Sequence, residues 1–311
     1  MRAGASFKVI LNMDILKIGV IDMIKLITDS TAYLPKALIE NEPIQIISLS
    51  VLVDNDLFIE TETDNKLFYK KMALGKKFPK SAQPSVGEML KVFEEAVSDG
   101  HDVIGTFLSS EMSGTYQTAC MVRAQLLDKY PEAKIELIDS RTNCMQLGFC
   151  VLCGAKLIAQ GLPVETVALT MRSYVKRSRF IFLPETLDYL KMGGRIGGAQ
   201  ALMGNILQIL PILTVENGRT EVVQKVRTKK KAVATLLQIA LDDINKYGLE
   251  SVVVHHIEAY EEGTVLAKRL QDALGVQVLL VDIGPVIGSH VGPGAIGIAY
   301  GLKHPFLESK V

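Results

Sequence analysis

The sequence contains no tryptophan and few other aromatic residues, with nine Tyr and ten Phe in 311 positions. Hydrophobic residues nevertheless make up 48% of the chain, so its core must be built mainly from aliphatic side chains. This apolar content excludes wholesale disorder. Domains usually hold about 100–200 residues, and the length therefore predicts two of them.

The chain also lacks an excess of either charge, since 34 Lys and Arg balance 34 Asp and Glu. Binding along a phosphate backbone requires clustered positive charge, so the composition argues against a broad nucleic-acid surface. A single small anion is a different matter, because hydroxyl groups and the N–H groups at a helix start can bind one without a basic patch.

Cysteine is scarce, with only Cys120, Cys144, Cys150 and Cys153. Four residues are too few for a disulfide scaffold. Cys150 and Cys153 have the spacing of a zinc half-site or a redox motif, but a second half-site is missing and no His lies nearby in the sequence. We therefore expect reduced thiols in the core, no bound metal and a reducing cytoplasm as the compartment.

No uninterrupted hydrophobic run of spanning length occurs near the beginning of the sequence. Lys8, Asp14 and Lys17 interrupt the apolar residues of positions 1–23, and no small-residue cleavage site follows them. This stretch fits neither a signal peptide nor a membrane-spanning helix. We interpret residues 1–23 as an N-terminal extension with little bearing on function, and expect the folded region to begin at Ile24.

Over residues 24–174, predicted strands alternate with predicted helices, one of them at Met145–Ala159. That alternation is typical of parallel βαβ units, so we expect a mostly parallel α/β domain there. Beyond it the pattern changes, with a strong hairpin turn at Asn217-Gly218 among further strands and helices. This predicts an α+β domain over residues 175–311, and the whole chain is of the α/β class.

Polar residues follow three of the predicted parallel strands, at positions 29–31, 109–110 and 139–140. Ligands bind open α/β sheets at the carboxyl ends of the strands, so these residues should share one rim. The richest stretch is the loop from Ser109 to Thr115, which precedes a helix. Its Ser113 hydroxyl could contact an anion, with Ser110, Gly114 and Thr115 in support. The alternative is that Ser113 or Thr115 merely caps the helix.

Two further segments carry candidate residues. Ser81 lies in a stretch over 77–85 that two prolines bracket, which predicts an irregular loop at the same rim, although such loops use Ser routinely. Near the carboxyl end, His290 is surrounded by glycines, including Gly288 and Gly292. That glycine density allows close approach of a ligand, and the imidazole could donate to a carboxylate.

A serine hydrolase is the alternative function, with Ser113 and His290 joined by Asp29 or Asp139. The Gly-x-Ser-x-Gly turn of many such enzymes is absent, however, and so is the Gly-x-x-x-x-Gly-Lys loop of nucleotide hydrolases. A regulator that binds another small molecule also stays open. Arg195, between two glycine pairs, suggests contact with a phosphate or an acidic partner.

Taken in order, six segments of the sequence resemble the hallmark segments of the DegV family, and the match covers Ile24 to about Leu302. They are TDSTAYLP at 28–35, KSAQPS at 80–85, SSEMSGTYQTA at 109–119, IDS at 138–140, LDYLKMGGRIGG at 187–198 and IGPVIGSHVGPGAIGIAYG at 283–301.

This resemblance implies a two-domain DegV-like fold with a long-chain fatty acid between the domains. It implies a non-enzymatic, cytoplasmic, bacterial lipid-binding protein that presents the carboxylate to a separate fatty acid kinase subunit, in phospholipid metabolism. By motif, Ser81, Ser113 and His290 would contact the carboxylate and Arg195 would dock the kinase subunit. No cofactor, metal, nucleic acid or stable membrane insertion is implied, and transient membrane contact stays open.

The sequence departs from the family pattern at two places. Ala82 stands where the family commonly has a hydroxyl residue, which could retune the head-group contacts. Glu111 replaces a small residue in the loop from Ser109 to Thr115, called the serine loop below, where a carboxylate would repel an anion. We therefore expect Glu111 to face solvent.

Overall fold

The computed structural model of the chain describes residues 24–203 and 209–306. The predicted N-terminal extension, residues 1–23, lies outside the described residues. The first described residue, Ile24, begins a strand, as the sequence predicts.

Seven strands form the first half of the described chain. They are β1 (Ile24–Asp29), β2 (Ile44–Ile47), β3 (Ser50–Val53), β4 (Asp56–Ile59), β5 (Lys80–Ala82), β6 (Asp102–Phe107) and β7 (Ile135–Asp139). Four of them make a parallel sheet in the order β2-β1-β6-β7, and β4-β3-β5 make a small antiparallel sheet beside it. The predicted parallel sheet is confirmed.

Six helices accompany these strands. They are α1 (Lys36–Ile39), α2 (Asn65–Leu74), α3 (Val86–Ser98), α4 (Thr115–Lys129), α5 (Cys144–Ala159) and α6 (Val164–Val175). Their starts follow local capping: Ser85 and Glu88 form a reciprocal capping box at α3, and the Asp64 side chain accepts from a backbone N–H at α2. The helix predicted from Met145 is α5, which begins one residue earlier.

The prediction of an irregular loop over residues 77–85 is partly wrong, because strand β5 forms within this segment. This three-residue strand pairs antiparallel with β3 and places Ser81 opposite Val51. Three residues between prolines show no alternation of their own, so the strand depends on its partner rather than on local pattern.

The described residues of the second half contain a six-stranded mixed sheet and four α-helices. These are β8 (Ser178–Leu183), α7 (Asp188–Met192), β9 (Leu210–Glu216), β10 (Arg219–Val226), α8 (Lys229–Tyr247), β11 (Leu249–His256), α9 (Tyr260–Leu274), β12 (Leu279–Asp282), α10 (Pro285–Val291) and β13 (Ile296–Leu302). The strand order is β10-β9-β8-β13-β11-β12, and only β11 and β12 run parallel. Asn217 and Gly218, both with positive φ, form the predicted turn between β9 and β10.

The two sheets share an apolar layer. Helix α5 contacts strands of both sheets, and one cluster of buried side chains joins Leu26 of the parallel sheet to Phe180 and Ala299 of the mixed sheet. The predicted boundary at residues 174 and 175 falls at the end of α6, and it stays a prediction. Across the described ranges, no helix has both the length and the apolar character that a bilayer span requires.

Candidate functional site

A cavity of about 120 Å³ lies where the two halves meet, with walls from the small sheet, the serine loop, the mixed sheet and α10. Most of its lining is apolar and includes Leu108, Phe180, Phe182, Leu190 and Ile287. Its polar lining comprises Ser81, Gln83, Ser113, Asn143, Arg195, Thr220 and His290, and Gly114 lies among them. Five residues singled out in the sequence therefore reach one cavity: Ser81, Ser113, Gly114, Arg195 and His290.

Ser81 and His290 contact each other across the two halves of the chain. Strand β5 presents the Ser81 hydroxyl, and its Oγ lies 2.8 Å from Nε2 of His290 on α10. Burial lowers the pKa of His290 to about 4, and the nearby Arg195 adds to this effect. The imidazole is therefore neutral at physiological pH. Its Nδ1 is buried and has no hydrogen-bond partner among the described residues, so one ring nitrogen keeps unused bonding capacity.

Ser113 lies in the loop between β6 and α4. Its Oγ is 2.9 Å from Oγ1 of Thr115 and accepts the N–H of Thr115 at 3.3 Å. Ser113 thus helps to begin α4, as the capping alternative supposes, while its side chain also lines the cavity. The two roles are compatible, because a hydroxyl oxygen has a second lone pair and a rotatable proton.

Gly114 permits a close contact that a side chain would prevent. A Cβ atom at this position would lie 2.1 Å from Oε1 of Gln83. Gln83 in turn donates from Nε2 to the Thr118 hydroxyl at 2.7 Å, which ties the loop after β5 to helix α4. The glycine therefore brings the Ser81 and Ser113 segments together.

Arg195 is exposed but lines the cavity with part of its side chain. Its Nε donates to the Met112 carbonyl at 3.0 Å, and one terminal nitrogen donates to the Gly193 carbonyl at 2.7 Å. Since His290 is neutral, Arg195 carries the only formal charge among the lining residues that the structure describes. The arginine predicted to dock a partner therefore lies beside the head-group candidates.

Two of the supporting residues predicted in the serine loop, Ser110 and Thr115, do not line the cavity. Ser110 donates from its hydroxyl to Asp139 Oδ2 at 2.5 Å, so it fastens the serine loop to the end of β7. The Thr115 hydroxyl is hydrogen-bonded to the Ser113 hydroxyl.

The glycines predicted near His290 serve the packing of aromatic rings. A Cβ at Gly288 would lie 1.8 Å from the Tyr69 hydroxyl oxygen, and one at Gly292 would lie 2.2 Å from the Tyr189 ring. Gly292 also has a φ of +86°, which a side chain would strain. These glycines shape helix α10 rather than touch the cavity.

The acidic residues of the strand ends support the rim from within. Asp29 is buried, and it accepts the Leu108 N–H at 2.8 Å and the Thr31 hydroxyl at 2.5 Å. Burial raises the pKa of Asp29 to about 6, although these hydrogen bonds act in the opposite direction. Neither Asp29 nor Asp139 lines the cavity. The predicted rim exists, and its carboxylates hold the loops in place.

The hydrolase pair is not assembled. His290 contacts Ser81, whereas Ser113 contacts Thr115. A serine nucleophile needs its base within hydrogen-bond reach and a third group to orient that base. In the described part of the chain, Nδ1 of His290 has no such third group.

Glu111 lies outside the cavity lining, which agrees with the expectation that it points away from an anion. Arg219 donates to its carboxylate from Nε at 2.8 Å, and Arg141 contributes a longer contact at 3.3 Å. Beside them, the Ser109 hydroxyl donates to the Gly218 carbonyl at 2.8 Å. These contacts fasten the β9–β10 hairpin onto the serine loop.

Asn143 is a lining residue that sequence reasoning missed. It is 5% exposed and immediately precedes α5; its Oδ1 has no partner among the described residues. The available signal was its place between the polar end of β7 and the start of a predicted helix.

Within the described ranges, no group of three or more His, Cys, Asp or Glu side chains is arranged to hold a metal ion. Cys150 and Cys153 lie on α5 and line no part of the cavity. Burial raises the pKa of both thiols, that of Cys153 to about 11, which keeps them protonated.

Comparison with known proteins identifies the family of this chain. The family model described as an uncharacterised protein of the DegV family matches residues 23–303. The chain belongs to the DegV family. A DegV domain-containing protein from Clostridium acetobutylicum is 50% identical over 277 residues, covering 89% of this chain and 97% of that protein.

Solved structures of similar proteins have the same fold. DegV from Bacillus subtilis, described as a fatty acid binding protein, is 32% identical with a TM-score of 0.81, covering 90% of this chain and 99% of that chain. A stearic acid-binding protein from Eubacterium ventriosum is 28% identical with a TM-score of 0.83 and the same coverage. The α/β class and the DegV fold are thereby confirmed.

Proposed function

We propose that this protein binds a long-chain fatty acid in the cavity where its two halves meet, with the carboxylate at Ser81, Ser113 and His290. The observation that carries the proposal is the Ser81–His290 contact on the wall of a cavity that also has apolar side chains in its lining. The fatty acids bound by the Bacillus subtilis and Eubacterium ventriosum relatives support the same ligand class.

The energetics suit such a ligand. Each buried CH₂ contributes roughly 0.8 kcal/mol, so the tail supplies most of the affinity while hydroxyls, a neutral imidazole and Arg195 orient the head. Small-molecule pockets usually enclose about 300–1,000 Å³, more than the 120 Å³ found here. Uptake of a long chain therefore requires the apolar wall, including the flexible Met112 side chain, to move.

The protein would present its ligand to a separate kinase subunit that phosphorylates the carboxylate, without catalysing the reaction itself. Arg195 supports this part of the proposal because it is exposed and adjoins the head-group residues. An exposed guanidinium can contact both a partner and an incoming phosphate. The cytoplasm, where ATP is available, is the proposed compartment.

Native mass spectrometry of gently purified protein tests the ligand. We expect a retained fatty-acid mass, or uptake of one when palmitate is offered. Protein that neither retains nor accepts a fatty acid would refute the proposal, and unaided turnover of an ester would favour the hydrolase alternative.

A phosphorylation assay with the kinase subunit of a DegV-containing bacterium tests the presentation step. Ser113→Ala should lower the rate by about tenfold or more, since it removes a head-group hydroxyl. Ser173→Ala, on the exposed face of α6, is the matched control and should keep the full rate. Equal rates for the two variants would remove Ser113 from the site.

A further inference from the structure

Glu60 is a buried carboxylate, 7% exposed, that directly follows β4 and lines no part of the cavity. Its two oxygens accept three hydrogen bonds. Oε2 accepts from the Ser30 hydroxyl at 2.5 Å, and Oε1 accepts from the Tyr33 hydroxyl at 2.8 Å. The third donor is the backbone N–H of Val286, also at 2.8 Å, which lies 226 residues further along the chain.

Val286 belongs to the first turn of α10, where backbone N–H groups have no partner within the helix. The next N–H group, that of Ile287, donates to the Tyr33 hydroxyl oxygen at 3.2 Å. On the preceding segment, the Ile283 carbonyl accepts from the Tyr69 hydroxyl at 2.7 Å. Three side chains of the first half of the chain, those of Glu60, Tyr33 and Tyr69, therefore hydrogen-bond to the backbone at the start of α10.

Helix α10 has seven residues and carries His290 near its other end. A rigid helix this short passes a displacement of its first turn directly to the imidazole, which must stay 2.8 Å from Ser81. We propose that Glu60 is a positioning residue for the Ser81–His290 pair, acting through the first turn of α10. The inference rests on the proposed fatty-acid function, because it assigns the pair to the ligand carboxylate.

Two substitutions of Glu60 test whether its hydrogen bonds position the Ser81–His290 pair. Glu60→Gln keeps an oxygen that accepts from Val286 and Tyr33, and its amide can donate to Ser30 Oγ. Glu60→Ala removes the acceptor of all three hydrogen bonds and leaves the Val286 N–H buried without a partner. A positioning role requires the glutamine variant to preserve the site and the alanine variant to disturb it.

The decisive measurement is the ratio of the dissociation constants for hexadecanol and palmitate. The two ligands share a tail and differ in the head group, so the ratio reports how well the head-group site is aligned. We expect Glu60→Ala to lower this ratio by about fivefold or more, as for one lost buried hydrogen bond, and Glu60→Gln to retain it. Tyr174→Phe, which removes a buried hydroxyl contact to Ser251 on β11, is the control and should also retain it.

A merely structural role would weaken both ligands equally and leave the ratio unchanged, and that result overturns the inference. If Glu60→Ala does not fold, Tyr33→Phe can be used instead. It removes the hydroxyl oxygen that accepts the Ile287 N–H in the same turn of α10, and it should also lower the ratio.

The ¹⁵N resonances of the His290 ring provide a readout without ligand. In Glu60→Ala they should shift in the same direction as in Ser81→Ala, and unmoved resonances overturn the inference. Wild-type protein that binds palmitate no better than hexadecanol would instead refute the proposed head-group function, while the ring resonances still report whether Glu60 holds His290.

Discussion

Replacing Glu60 by Gln should change how the stability of the protein depends on pH. Burial raises the pKa of Glu60 from 4.5 to about 7, against the opposing effect of its hydrogen bonds. Between these values the folded protein holds a proton that the unfolded chain has released, so the free energy of unfolding falls as pH rises. At about 1.4 kcal/mol for each pKa unit, the full window amounts to roughly 3 kcal/mol.

Other buried groups titrate in the same range. The raised pKa of Asp29, about 6, acts in the same direction as that of Glu60. The lowered pKa values of His255, about 3, and His290, about 4, act in the opposite direction, because only the unfolded chain binds their protons below pH 6.5. The difference between Glu60→Gln and wild type therefore isolates Glu60.

Urea unfolding between pH about 5 and about 8 measures this difference. We expect Glu60→Gln to gain roughly 2–3 kcal/mol relative to wild type as pH rises across the window. The exposed neighbour Glu62, replaced by Gln, is the matched control and should follow the wild-type curve. A Glu60→Gln curve parallel to wild type at all pH values would refute the assignment of a titrating buried carboxylate.

Three further substitutions have definite expected outcomes. Gly292→Ala should lower the free energy of unfolding by about 1–3 kcal/mol, because the residue has positive φ and its new Cβ would meet the Tyr189 ring; equal stability would mean that the ring yields freely. Gly87→Ala, in α3 with no atom within 4 Å of the new Cβ, should raise it by about 0.5–1 kcal/mol in the same assay. His255→Leu should lower stability at neutral pH by about 1–3 kcal/mol, since it leaves two buried backbone groups unpaired. It should also flatten the loss of wild-type stability from pH 6.5 towards about 3, and an unchanged acid limb would contradict this.

Local sequence pattern predicted the parallel sheet, helix α5 and the Asn217-Gly218 hairpin. Each of these has a signal within a few residues: alternating elements, a long apolar segment or a turn dipeptide. It also predicted that Ser113 and His290 would reach a site, because glycine and hydroxyl clusters mark places where the backbone approaches a ligand closely.

The residues that escaped prediction depend on distant partners. Strand β5 exists through its pairing with β3, and Asn143 lines the cavity from the position before α5, a helix that contacts both the parallel and the mixed sheet. The sequence does not mark Glu60 as buried. It lies in an acidic stretch with Glu62 and Asp64, which are both exposed. Its burial follows from α10, which the sequence places more than two hundred positions away.

The contact between Ser81 and His290 spans 209 positions of the chain. During synthesis this contact cannot form until α10 has left the ribosome, so a ligand that needs both residues cannot stabilise the nascent chain before that point. Contacts of this sequence separation also form slowly. After the contact has formed, a ligand that touches both residues connects the early and late parts of the polypeptide. By mass action, such a ligand raises the melting temperature as its concentration exceeds Kd.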